Sequence, residues 1–110
     1  MSTDYCFYRS LDFQKILKIS DECRGFVIEK CDQERDSSGN VKQIFNKISN
    51  IGSLDPDTLH SIRIHYDGNY LWCCVEKGLK VSSFTRFGCN NGHILDIIAF
   101  HTRRKFRCLG

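Results

Sequence analysis

The sequence has few of the features that mark membrane, fibrous or secreted proteins. It contains one proline and eight glycines in 110 residues, which excludes collagen-like and low-complexity structure. No run approaches the roughly 20 apolar residues that a membrane helix needs, and the N-terminal residues lack the basic and apolar segments of a secretory signal. Because this length supports a single hydrophobic core, we expect one domain over residues 1–110.

The cysteines show no pairing pattern. Their number, seven, is odd, and no C-x-x-C spacing of the kind that zinc sites use is present. Cys73 and Cys74 are adjacent, so in a strand they would point to opposite faces. We therefore predict reduced thiols in an intracellular compartment, with Cys23, Cys31 and one of the pair Cys73 and Cys74 packed in the core. We expect neither a metal site nor a cofactor.

Motifs for catalysis are equally scarce. The glycines fall singly at turns and form neither of the patterns that bind nucleotide phosphates. Four histidines accompany the seven thiols, but no local signature selects a nucleophile and a base. Asp55 and Asp57 flank Pro56 as turn residues do. We expect a binding protein rather than an enzyme, and a thiol- or metal-dependent enzyme is the least favoured alternative.

The first third of the chain predicts a strand, a helix and a second strand. Tyr5–Tyr8 reads as a short strand, and Ser10 can cap a helix over residues 11–23 whose apolar residues share one face. A β-branched run then starts at Phe26. Asp36–Asn40, rich in Asp, Ser and Gly, ends this run as a loop.

The spacing of the apolar residues changes in the middle of the chain. Apolar residues repeat at i, i+3, i+4 and i+7 after residue 40, which predicts a brief helix carrying Val41, Ile44, Phe45 and Ile48. From residue 61 apolar and polar residues alternate, and Asp67-Gly68-Asn69 supplies the chemistry of a tight turn. Residues 61–76 are therefore predicted to form a β-hairpin.

The last third is predicted to contain a further hairpin. Val81–Phe87 reads as a strand, and Asn91-Gly92 is a strong type I′ turn signal. Segment 93–103 would also suit a helix, but the turn before it favours a strand. The fold class is α+β with β dominant: about six strands and one good helix, in a small barrel or a strongly curled sheet.

Positive charge is concentrated at the C-terminal end. The net charge is +3, and four basic residues lie close together there, namely Arg103, Arg104, Lys105 and Arg107. With Phe106 among them they could bind RNA by ion pairing and base stacking, although charged residues also protect strand edges. Tyr66, Tyr70 and Trp72 could form a stacking platform, but cross-strand core pairs are the favoured interpretation.

Three segments resemble non-structural protein one, the leader protein, of alphacoronaviruses. They are the helix leading into Cys23–Ile28, the hairpin Ile64–Cys73, and Phe84–Phe100 around Cys89-Asn90-Asn91-Gly92. The resemblance implies an irregular six-stranded antiparallel β-barrel with one flanking α-helix. It also implies release from a replicase polyprotein, with Met1 as a suitable start and Gly110 as a suitable last residue.

The resemblance implies a function as well. Members of that family suppress host gene expression and protein synthesis, and so interferon responses, without being enzymes. The functional turn of the family corresponds here to Cys89, Asn90, Asn91, Gly92 and His93. We therefore expect a monomeric host-shutoff factor that binds the translation machinery, for example the small ribosomal subunit, in the host cytoplasm or nucleus.

The alternative is a sequence-tolerant RNA-binding module that acts through the basic end. Both the resemblance and the turn-based mechanism require a strand after Gly92. If residues 93–103 form an α-helix, or if the turn is buried, both have to be abandoned.

Overall fold

The computed structural model describes residues 3–86, 92–104 and 106–108, with side chains omitted at 3–10, 82, 83, 85, 86 and 106–108. It contains seven strands and two α-helices in this part of the chain. Their bounds are β1 Thr3–Asp12, α1 Phe13–Glu22, β2 Val27–Arg35, β3 Val41–Lys47, β4 His60–Tyr66, β5 Asn69–Glu76, β6 Lys80–Arg86, α2 Gly92–Thr102 and β7 Phe106–Cys108, with a 3-10 turn at Ile51–Ser53.

The strands form one antiparallel sheet in the order β3-β2-β4-β5-β6-β1-β7. The α+β class with β dominant is confirmed. Within the described residues, however, the outermost strands β3 and β7 are not paired with each other, so the sheet is open where a closed barrel was predicted. The two α-helices replace the single flanking helix that was expected.

Both helices cover the same face of the sheet. Alternate residues of β4 and β5 are buried and join the helices in one core, as the period of two in a strand requires. The core residues from these elements are Phe13, Ile16, Leu17, Ile19, Ile62, Ile64, Leu71, Cys73, Val75, Ile94, Leu95 and Ile98, and Ile28 of β2 joins them. In the part of the chain that the structure describes, no helix packs on the opposite face of the sheet.

The prediction for α1 is confirmed apart from its cap. The side chain of Asp12, rather than that of Ser10, accepts a hydrogen bond from the amide of Gln14 at 3.1 Å. The preceding strand is also longer than the predicted Tyr5–Tyr8, because β1 continues to Asp12 against β6. Ser10 therefore lies within β1, and Asp12 occupies the N-cap position at the start of α1.

The helix predicted around Val41–Ile48 is wrong, because this segment is strand β3. Asp36 Oδ1 accepts hydrogen bonds from the amides of Ser38 and Asn40, both at 2.9 Å, and this turn folds β3 back onto β2. Val41 is 53% exposed, so it never joins the apolar face that a helix would need. The spacing of four apolar residues was a coincidence that the turn chemistry overrides.

The strand predicted over 93–103 is also wrong, because residues 92–102 form helix α2. Ile94, Leu95 and Ile98 are buried together, whereas Asp96 and Phe100 are exposed. This is helical spacing, since a strand would place Leu95 on the face opposite Ile94. The apolar face of β4 and β5 has to be shielded from water, and α2 packs on it. This burial favours a helix over a strand for residues 92–102.

The end of α2 has a left-handed residue that is not glycine. Arg103 has φ 54°, and the amide of Arg104 donates to the carbonyl of Ala99 at 3.3 Å. This is the bond of a Schellman cap, in which glycine is favoured at the left-handed position. The arginine therefore carries backbone strain.

We expect Arg103→Gly to raise the free energy of unfolding by roughly 0.5–1 kcal/mol, because relief of the left-handed strain exceeds the added entropy of the unfolded chain. Arg103→Ala removes the same charge but keeps the strain, so it separates the two effects. Urea unfolding of the three proteins measures the difference. Equal gains in both variants would assign the effect to charge instead of backbone.

Neither described helix has the length and apolar character that crossing a bilayer requires.

Candidate functional site

The face of the sheet without helices carries a cluster of aromatic and charged side chains. Strand register places them on adjacent strands, and ring and ion contacts join them on the same side of the sheet. We call this cluster the open face, and it consists of Glu29, Phe45, Arg63, His65, Tyr70 and Trp72. None of these residues belongs to the hydrophobic core.

One row of paired residues crosses four strands of this face. Lys47 of β3 lies opposite Glu29 of β2, which lies opposite Arg63 of β4, which in turn lies opposite Trp72 of β5. Residues opposite one another in a sheet project from the same face. The row therefore places charges of alternating sign next to the indole.

Arg63 holds the centre of the open face. Its Nε and one terminal nitrogen donate to Glu29 Oε1 at 3.1 and 2.9 Å. The guanidinium lies 3.5 Å from the centroid of the Phe45 ring and 5.0 Å from that of Tyr70. Arginine commonly stacks on aromatic rings in this way. The ion pair and the ring contacts together fix the positions of the surrounding aromatics.

The aromatic rings are partly accessible. Phe45 and Trp72 lie on strands that two others separate, yet their ring centroids are 5.9 Å apart, so the side chains lean towards each other above Arg63. Tyr70 is 38% exposed and stacks on His65 at 4.7 Å with an interplanar angle of 14°. Phe45 and Trp72 are half-buried, so all three rings are partly exposed to solvent on this side of the sheet.

The segment after the turn that was predicted as a binding surface is a helix and not a strand. Cys89, Asn90 and Asn91 lie outside the described residues, Gly92 begins α2, and His93 is in its first turn. The His93 ring lies 5.4 Å from that of Tyr66. The segment therefore leads into a helix that packs on the sheet, which corrects the predicted strand-to-strand turn.

The basic residues near the C-terminus do not form one strand end. Arg103 and Arg104 follow the last residue of α2, Arg107 lies in the short strand β7, and Lys105 and Gly110 are outside the described residues. The predicted basic strand end is thus divided between a helix terminus and a strand that pairs with β1.

Sequence reasoning missed most of the open face. The preference for core pairing holds for Tyr66, which packs against the core, but Tyr70 and Trp72 lie on the other face. Because the sequence predicts a helix around Phe45, it gives no indication that this ring contacts Arg63. The available signal was the alternation of Arg63 and His65 with isoleucines in β4.

The thiols differ sharply in their surroundings. Cys73 is buried, and burial, with a smaller effect from neighbouring Cys74, raises its pKa far above the usual range for a thiol. Cys74 is exposed, so Cys73 is the one of this pair that packs in the core, as predicted. Cys23 is half-buried and packs against the core, whereas Cys31 is half-buried and does not belong to it. Among the described residues no group of three or more His, Cys, Asp and Glu side chains is placed to hold a metal ion.

We expect iodoacetamide to modify Cys74 at least about tenfold faster than Cys73 in the folded protein, because only an accessible thiolate reacts. Tandem mass spectrometry of the peptide that contains both residues measures each rate. The difference should vanish in urea. Equal rates without denaturant would contradict the burial of Cys73.

Comparison with protein-family models, with curated proteins and with solved structures finds no match to this chain.

Proposed function

We propose that this protein binds single-stranded RNA on the open face of its sheet. The observation that carries the proposal is the group of accessible aromatic rings, Phe45, Tyr70 and Trp72, held around Arg63 on a sheet face without helices. Sheet faces bind unpaired bases by stacking them on aromatic side chains. Stacking tolerates any base, so binding would have little sequence preference.

The charge of this face supports the same ligand. Glu29 is paired with Arg63, which leaves Lys47 and Arg35 as the uncompensated charges on this side of β2 and β3. Both are exposed at the rim. Lysine and arginine side chains beside stacking rings can form ion pairs with the phosphates of a single strand. A nucleic acid, which carries both negative phosphates and flat bases, therefore suits this face better than a neutral molecule.

Trp72 gives a direct test, because it is the only tryptophan in the chain. Titration with a ten-nucleotide oligouridine should quench its fluorescence saturably, since stacking changes the environment of the indole. Affinity should fall as salt rises, with a slope of roughly 0.7 per phosphate contacted. Unchanged fluorescence, together with no binding of a labelled oligonucleotide, would refute the proposal.

Inhibition of host translation is a second proposal, because the translation machinery presents abundant RNA to such a face. In this form it relies on the open face and not on Asn90, Asn91 and Gly92. Wild-type protein should lower the output of a reporter in cell-free translation, and Tyr70→Ala should restore it. Equal inhibition by wild type and Tyr70→Ala would show that the open face is not needed to inhibit translation.

A further inference from the structure

A second charged feature lies on the other side of the molecule, between the two helices. A cleft of about 270 Å³ separates α1 from the end of α2. Its lining residues are Lys15, Lys18, Ile19, Glu22, His101, Thr102 and Arg103. It lies on the face of the sheet that the helices cover, so it is distinct from the open face.

The cleft has an excess of positive charge. Among its described lining residues Glu22 is the only carboxylate, and Glu22 Oε2 lies 2.9 Å from Nδ1 of His101. Within the described residues, Lys15, Lys18 and Arg103 form no ion pair, whereas Lys30, Arg63 and Lys80 each have an acidic partner. Glu22 offsets one of these three positive charges, so the cleft keeps a net positive charge that attracts an anion.

The backbone brings the third cation into place. Arg103 adopts φ 54° directly after α2, at the position where glycine would be free of strain. The contact between His101 and Glu22 ties this end of α2 to α1, on which Lys15 and Lys18 lie. Strained residues concentrate at functional sites, where the surrounding structure maintains them. Here the strain accompanies a cation positioned at the cleft.

We propose that this cleft binds a phosphate group, as inorganic phosphate or at the end of a small phosphomonoester. Arginine and lysine together are the side chains that bind phosphate oxygens most strongly, by charge-assisted hydrogen bonds. The volume is just below the roughly 300–1,000 Å³ of pockets that enclose drug-sized ligands. It suits a single phosphorylated headgroup better than a large cofactor.

Amide chemical shifts measured by NMR during titration with inorganic phosphate test the proposal, with sodium chloride holding ionic strength constant. We expect saturable shifts in residues 15–22 and 101–104. Arg103→Gly and Lys18→Gln should each weaken binding by about tenfold, the effect of losing one charge-assisted contact. Arg103→Gly is expected to be more stable than the wild type, so its loss of affinity cannot come from unfolding.

Lys77→Gln is the matched control, because Lys77 is an exposed lysine in the turn after β5. It should bind phosphate as the wild type does. Shifts that stay linear to high phosphate concentration, or equal affinities in all variants, would overturn the proposal.

Two further titrations identify the source of the phosphate. Glycerol 3-phosphate should shift the same amides if the ligand is a small phosphomonoester. If oligouridine shifts them as well, the group is a phosphate of the RNA backbone. Tyr70→Ala should leave binding of inorganic phosphate unchanged, so failure of the RNA proposal and failure of this one can be told apart.

Discussion

Replacing Tyr70 with alanine should weaken binding of single-stranded RNA by roughly 10- to 100-fold, because one base stacked on an aromatic ring contributes about 1–3 kcal/mol. Tyr70 is the most accessible ring of the open face, with 38% of its surface exposed. Its side chain is not part of the core, so the fold should survive the change. Fluorescence anisotropy of a labelled oligouridine measures the affinity.

Phe100→Ala is the matched control for this measurement. Phe100 is an aromatic residue of α2 that is 79% exposed, outside the open face. It should bind RNA with wild-type affinity. Equal losses in the two variants, or no loss in Tyr70→Ala, would show that RNA does not stack on the open face.

The second large effect is expected from the core face of α2. Ile98→Ala should lower the free energy of unfolding by about 2–5 kcal/mol, because it leaves a cavity between α2 and the sheet. Leu95→Ala should cost a similar amount, since Leu95 and Ile98 are both buried. Phe100→Ala should change stability by less than about 0.5 kcal/mol, as exposed substitutions do. Urea unfolding measures all three.

This set of variants also distinguishes a helix from a strand. In a strand, Ile98 and Phe100 would share one face and Leu95 would lie on the other. A large loss of stability in Phe100→Ala with little change in Leu95→Ala would therefore indicate the extended conformation. The helix predicts the opposite order.

Helix α2 also changes what the sequence resemblance supports. The segment around Cys89–Gly92 was expected to turn one strand into the next, and the structure shows a helix from Gly92 instead. One of the three segments behind the resemblance thus differs from the expected conformation. Because no compared protein matches the chain, the proposed RNA binding depends only on the open face.

The two mistaken elements have a common physical cause. Val41, Ile44 and Phe45 match a helical period, and Ile94 and Ile98 match a strand period as well as a helical one. Short apolar runs satisfy both patterns, and the partner of each run makes the choice. β2 is available to pair with β3, whereas the apolar face of β4 and β5 needs a helix to cover it.

Much of the candidate site was beyond sequence reasoning for a related reason. Glu29, Phe45, Arg63 and Trp72 belong to four different strands, so their contact depends on the strand order and register of the sheet. The sequence places Tyr70 and Trp72 in a hairpin. Whether their rings lie in the core or on the open face depends on which side of the sheet the helices cover. No local pattern specifies that side.

The sequence by itself determined the α+β class, helix α1, the hairpin of β4 and β5, and the turn at Asp36–Asn40, because local periodicity and turn chemistry are sufficient for these elements. Only the tertiary structure decided that residues 41–47 pair as a strand and residues 92–102 coil as a helix. It also decided that the aromatics gather around Arg63 on the open face. These features depend on contacts between distant segments, and the free energy of burying one apolar face against another outweighs weak local preferences.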